Sequence, residues 1–229
     1  MEQNRLSAPV TKKLVAEQVY DVLEASISDG TLQAGASLKV RDVAAMVGTS
    51  VTPVREALQK LQDVGLVTNK PHRGAVVRAL TTSELMQLYD LRMVLEKYAA
   101  EIGVPHILAR DINRMEQSYR EMWDAVERQD VAVSLDKDEE ILAVVYGAAN
   151  NPFLVEMIEG LWMRTRAFKV VGAREAFRNH DDTLWLPQKR LIEAVKSHDV
   201  AEAVAMTHDS LQSARRRVET RVDDNDEEL

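Results

Sequence analysis

The chain has 229 residues, 45% of them hydrophobic and 29% charged, with 29 Lys and Arg against 37 Asp and Glu for a formal net charge of -8. That length supports one large or two modest hydrophobic cores, no run of about 18 apolar residues offers a membrane span, and the absence of cysteine excludes disulfides and thiolate metal or nucleophile chemistry. The opening MEQNRLSAPVTKK lacks the apolar stretch of a secretory leader, so a cytoplasmic protein with no membrane partner is expected.

The acidic balance would also argue against a polyanionic partner if the charge were evenly spread, and it is not. Residues 39–78 hold 7 basic and 3 acidic side chains, whereas residues 79–229 hold 19 basic and 29 acidic. One small basic surface on an otherwise acidic chain is what local contact with a polyanion requires.

In chain order, Leu14, Val15, Val19, Val22, Leu23 and Ile27 recur at a helical period. Gly30 and Gly35 then break the chain. Arg41 to Val47 predicts a short helix with Val43, Ala44 and Val47 inward, stopped at Gly48. A second short helix is expected from Thr52 to Asp63, with Ser50 as its cap and Pro53 tolerated in the first turn. Leu66-Val67-Thr68 and Ala75-Val76-Val77 flank a basic turn containing Lys70, His72, Arg73 and Gly74, which reads as a hairpin. Helix, short helix, turn, helix and hairpin in that order form a winged helix-turn-helix.

Beyond residue 80 no segment reads as a strand. Thr82 or Ser83 is expected to cap a helix carrying Leu85, Leu88, Leu91, Leu95 and Ala99 on one side. Further helices are expected over 109–129, 131–148, 151–170, 184–197 and 200–221. The fold class is therefore mainly α: a winged helix-turn-helix over 1–78, then an all-α bundle over 79–222. The run from Asp223 to Leu229 is too acidic to pack and is expected to be a disordered tail.

A recognition helix needs small polar residues at its start and long donors on its outward face. Ser50 and Thr52 suit phosphate oxygens near free backbone donors, and Arg55 reaches a phosphate or a guanine edge. Arg41 opens the preceding helix, Lys70 and Arg73 sit on the wing, and Gly74 allows a sharp turn or a close approach to the minor groove.

These residues carry a resemblance. Leu38 to Ala44, Ser50 to Leu61, Gly65-Leu66-Val67 and His72 to Val77 resemble the GntR family of bacterial transcription regulators. Leu88 to Glu96, Gly147 to Leu154 and Asp199 to His208 resemble the all-helical ligand domain of its FadR-type branch (an FCD-like domain). The resemblance implies a homodimer that binds double-stranded operator DNA, more often as a repressor, with a six- or seven-helix bundle around a cavity for a small organic-acid effector. It also implies that Arg41, Ser50 and Arg55 contact the operator and that Gly74 enters the minor groove. Val51 stands where relatives usually carry arginine, which exchanges a polar contact for an apolar one against a thymine methyl or loses it. Effector binding is expected to alter the spacing of the two half-site readers.

Many such domains also hold a divalent metal ion through one aspartate and three histidines. Aligned here, that set becomes Asp136, Glu140, Gln188 and His208, with Glu140 and Gln188 in place of two histidines. Three readings stay open: an oxygen-rich site for a divalent ion, an organic recognition set with no ion, or a pocket kept only for structure. Arg92 is the expected anion partner of the effector, its bland role being a helix pair with Glu96. No nucleophile elbow, phosphate loop or HExxH motif occurs, so an enzyme is not expected. The alternatives to an effector-controlled regulator are a dimer that has lost its effector and, further off, a metal-dependent enzyme using Asp136, Glu140 and His208.

Overall fold

The computed structural model describes residues 10–71 and 73–226, with side chains from Leu14 to Thr220, so His72 of the expected wing and the last residues of the expected tail, 227–229, lie outside the described residues. The chain divides into two compact units between Ala79 and Leu80.

The first unit contains α1 (Val10–Ser28), α2 (Val40–Val47), α3 (Val51–Asp63), β1 (Val67–Lys70) and β2 (Gly74–Val77). On α1 the buried stripe is Ala16, Val19, Leu23 and Ile27, at spacings of three and four, while Leu14 and Val22 face solvent. This stripe packs on α3, whose Val54, Ala57, Leu58 and Leu61 are buried. Gly48 ends α2 in the left-handed region, φ 70°, a conformation that lets the chain turn at once into α3. Strands β1 and β2 pair antiparallel with Val67 opposite Val77 and Lys70 opposite Gly74. The segment before α2 adds a short third piece, with a Ser37–Val76 bridge and the Leu38 amide donating to the Ala75 carbonyl at 2.8 Å.

Among the described residues the second unit is all helical: α4 (Thr82–Gly103), α5 (Ala109–Glu127), α6 (Val131–Gly147), α7 (Pro152–Arg178), α8 (Pro187–Lys196) and α9 (Val200–Asp226). Thr81, rather than Thr82 or Ser83, caps α4 through a reciprocal box: its side chain accepts from the Glu84 amide at 3.2 Å, and Glu84 accepts from the Thr81 amide at 2.8 Å. Asp130 and Asn151 cap α6 and α7. Helix α7 runs eight residues beyond the expected end at 170, because Ala173, Ala176 and Phe177 keep its buried stripe going. Helix α9 continues to Asp226, past the point where a disordered tail was expected at 223. Extending an existing helix needs no new nucleus, and no Gly or Pro interrupts this one.

Helix α4 packs against α6, α7 and α9. At Gly103 its backbone meets α6 so closely that an added Cβ would lie 2.3 Å from the Val145 carbonyl oxygen. The core of this unit includes Met115, Met122, Ile141, Val145, Ile158 and Trp185. Among the described residues, no helix is long and apolar enough to cross a membrane.

Candidate nucleic-acid interface and ligand cavity

The basic surface of the first unit is built around α3. Its apolar side is fixed in the core, so the opposite side must be exposed: Val51, Thr52, Arg55, Glu56 and Gln59 all face solvent. Ser50 precedes the helix with an extended backbone, yet its side chain makes no cap hydrogen bond. The expected cap is therefore in the cap position with its hydroxyl unengaged, and that hydroxyl remains available to a phosphate. Arg41 is exposed on the first turn of α2, and Lys70, Arg73 and Gly74 are exposed at the hairpin tip, where Gly74 has φ 69°. Among the described residues, none of Arg41, Arg55, Lys70 and Arg73 is ion-paired, whereas Lys60 on the same helix meets Glu17 at 3.8 Å. Four exposed cations without counter-charges frame one helix.

The second unit encloses a cavity of about 300 Å³. One wall comes from α4, where Ala99 of the expected stripe is buried and Leu85 and Leu95 pack against the core, but Leu91 does not turn inward. Leu91 is 53% exposed, while Arg92 and Glu96 are 3% and 1% exposed. The Arg92 Nε donates to Glu96 at 2.6 Å, and a terminal Arg92 nitrogen donates to Thr165 at 3.2 Å. Glu96 also accepts from Trp162 Nε1 and the Tyr146 hydroxyl, each at 3.0 Å. Burial works against the Arg92 charge, but Glu96 outweighs it and holds the guanidinium above its ordinary pKa. Burial, reinforced by Glu96, pushes the Tyr146 hydroxyl well above its ordinary value, so it is a firm donor.

The site residues expected on α6 are displaced by two positions. The helix turns about 100° per residue, so Asp136 and Asp138 point to nearly opposite sides. Leu135, Asp138, Leu142 and Tyr146 line the cavity; Asp136 and Glu140 do not. The Asp136 side chain is 58% exposed and bonded to Arg166. Glu140 accepts from Lys137 and, at 2.9 Å, from Ser118. Gln188 does line the cavity, and its amide Nε2 donates to Asp138. His208 does not line it: on α9 the lining residues are Thr207, Ser210, Leu211, Ala214, Arg217 and Thr220, with the His208 Nδ1 buried and unpartnered elsewhere.

The structure does not bring the expected metal set Asp136, Glu140, Gln188 and His208 together on the cavity wall. Among the described residues no group of three or more His, Cys, Asp or Glu is placed to hold an ion. One turn after Asp138 the cavity is lined by Leu142, a hydrocarbon with no ligand atom. Both Asp138 oxygens already have partners: Gln188 on one, and Lys169 Nζ at 3.0 Å on the other. A lysine neutralises the carboxylate where a metal ion would have to.

Sequence reasoning missed Asp138 and Trp185. The signal for the first was present in the stripe Leu135, Asp138, Leu142, Tyr146, at spacings of three and four. Lys169 bonds Glu139 as well, at 3.1 Å, and Arg166 reaches Glu139 at 2.5 Å. Burial opposes the Lys169 charge, but Glu139 and Asp138 more than offset it and its pKa rises. Burial likewise opposes the Glu139 charge, and Lys169 and Arg166 override it, holding the carboxyl below the ordinary 4.5. A depressed carboxyl adds stability that is complete above its unfolded value and is lost as pH falls through its folded value. Glu139→Gln is accordingly expected to flatten the acid limb of stability below about pH 5, as followed by thermal melting from neutral pH downward. An unchanged acid limb would remove Glu139 from that role.

Two buried atoms at the cavity have no partner: Gln188 Oε1 and Trp185 Nε1. Leaving such a group unbonded costs on the order of 1–3 kcal/mol.

Comparison with known proteins matches both units. Residues 15–77 fit the family described as "Bacterial regulatory proteins, gntR family", and residues 87–213 fit the FCD domain. The HTH-type transcriptional regulator McbR of Escherichia coli K12 is 30% identical over 147 residues, covering 64% of this chain and 66% of the relative. A probable D-xylose utilization operon transcriptional repressor of Paenarthrobacter nicotinovorans is 29% identical over 210 residues, covering 88% and 92%. Among solved structures, E. coli McbR/YncC superposes with a TM-score of 0.79 at 23% identity, covering 91% of this chain and 98% of that one. A putative GntR transcriptional regulator from Rhodococcus sp. RHA1 superposes with a TM-score of 0.78, also at 23% identity, covering 89% and 96%. At that identity the superpositions speak to the fold.

Proposed function

Because the chain belongs to the GntR family of bacterial transcription regulators, with an FCD ligand domain, and is thereby a sequence-specific DNA-binding regulator, we propose that it is a homodimeric repressor released from its operator by a small molecule in the cavity of the helical unit. The observation that carries the DNA reading is the set of exposed cations without counter-charges around α3. Arg55 and the Ser50 hydroxyl face the major groove and its phosphates, Arg41 meets the backbone beside them, and Lys70, Arg73 and Gly74 approach the neighbouring minor groove. Val51 and Thr52 begin the recognition helix, and Val51, 40% exposed, offers an apolar contact to a thymine methyl.

For release, the effector must favour the DNA-incompetent state over the competent one; equal affinity for both would change nothing. Arg92, the expected anion partner of an organic-acid effector, already faces Glu96 and offers no uncompensated charge.

Selection of bound fragments from genomic DNA tests the regulator. The expected product is a two-fold symmetric operator bound with steep salt dependence; binding that ignores sequence would refute it. Gly172 supplies a test of the cavity, because it lines the wall and open space lies where its Cβ would go. Gly172→Met is expected to fill that space, leaving operator affinity within about twofold while blocking release by the low-molecular-weight extract of the source bacterium. Undiminished release would place the effector elsewhere.

A further inference from the structure

The buried wall of the cavity is saturated with charge. Among its lining side chains, Arg92 faces Glu96 at 2.6 Å, Lys169 faces Asp138 at 3.0 Å, and Arg217 lies near Asp181, with Glu175 the fourth lining carboxylate. Three lining cations therefore meet four lining carboxylates, and Arg92 and Lys169 are already ion-paired. A carboxylate ligand would lose its hydration and add a fifth negative charge to a wall already negative in sum. An ammonium ligand fares no better against the innermost acids, because both oxygens of Glu96 and both of Asp138 already have donors.

The unused hydrogen-bonding atoms are of mixed sense. Gln188 gives its amide nitrogen to Asp138, which fixes Oε1 as an acceptor, and that buried atom has no donor. Trp185 Nε1 is a buried donor with no acceptor. Arg92, a lining residue, engages Nε on Glu96 and one terminal nitrogen on Thr165, and its other terminal nitrogen makes no hydrogen bond among those described. A carboxylate only accepts and an ammonium only donates, whereas a hydroxyl does both. Tyr89, Phe168 and Leu142 add apolar lining suited to C–H faces.

We propose that the cavity takes an uncharged polyhydroxylated ligand, of the class of sugars and sugar alcohols, in place of an organic acid. One ligand hydroxyl donates to Gln188 Oε1, and ligand oxygens accept from Trp185 Nε1 and the remaining Arg92 nitrogen. The inference rests on the reading of this cavity as the effector site. Both Gln188 Oε1 and Trp185 Nε1 are closed to solvent, so the amide or the ring turns toward the cavity as the ligand enters.

The test is calorimetry on the full chain with paired probes: D-xylose against D-xylonate, D-glucose against D-gluconate, and D-glucosamine as the cation. A neutral sugar is expected to bind at least about tenfold more tightly than its acid or amine. Its affinity should change less than about twofold between low and physiological salt, as no net charge is paired. Gln188→Leu should weaken that binding by about tenfold or more. Should that variant fold poorly, the wild-type chain decides alone, through the preference for sugar over acid and amine and through the flat salt dependence.

Tighter binding of the acids to the wild-type chain, no binding by either sugar, or sugar binding indifferent to Gln188→Leu would overturn the proposal. The two readings fail separately. An acid that binds and releases the operator removes the ligand class and leaves the regulator standing. A sugar that binds as expected without moving operator affinity removes the regulation and leaves the ligand class.

Discussion

Glu96→Ala is expected to destabilise the helical unit by about 3–5 kcal/mol, a loss of roughly 10 °C in melting temperature for a unit of this size. Glu96 is 1% exposed and accepts three hydrogen bonds, from Arg92, Trp162 and Tyr146. Truncation strands a guanidinium that is itself 3% exposed and leaves two more donors without an acceptor. The cost comes chiefly from the uncompensated charge and less from the intrinsic worth of the pair. The double variant Arg92→Met with Glu96→Leu should therefore recover most of the loss, since it removes the charge along with its partner. Urea unfolding of the two single variants and the double decides the matter. If Glu96→Ala costs less than about 1 kcal/mol, water reaches the pair and the site is not a closed one.

Arg55→Ala is expected to weaken operator binding by about ten- to a hundredfold while changing stability by less than about 0.5 kcal/mol. Its side chain is exposed and has no ion pair among the described residues, so nothing in the fold depends on it. Lys70→Ala should behave differently. A lysine at the hairpin tip is a point charge toward phosphate, so its loss should weaken specific and non-specific DNA alike and lower the salt slope by about one. Fluorescence anisotropy with operator and scrambled duplexes over a range of salt separates the two outcomes. If Arg55→Ala weakens both duplexes equally, Arg55 is a phosphate contact and base readout belongs to Val51, Thr52 or another residue of α3.

The first unit was legible in the sequence because its signals are local. Gly48, Pro53 and the basic hairpin turn punctuate short elements, and each falls within a few residues of the contacts it controls. Sequence reasoning was weaker in the bundle, where it assumed that apolar residues face inward. On α4 that assumption selected Leu91, which faces solvent, over Arg92 and Glu96, which are buried. A buried ion pair breaks the apolar period that locates a helix face, and its compensation comes from α6 and α7, far away in the chain. The same weakness displaced the cavity aspartate by two residues, since Asp136, Asp138, Glu139 and Glu140 offer carboxylates on almost every side of α6. What Asp138 has and its neighbours lack is a place in the stripe of Leu135, Leu142 and Tyr146 and the bond from Gln188.

The close approach at Gly103 bears on how the bundle can deform. Where backbone touches backbone, two helices cannot slide without first separating, so α4 and α6 behave as one stiff plate in which Tyr146 and Glu96 keep a fixed spacing. Helix α7 meets that plate partly through Arg166 and Lys169, long jointed side chains that can swing while their charges stay paired. A ligand pressing on the walls is therefore expected to shift α7 before it parts α4 from α6 at Gly103.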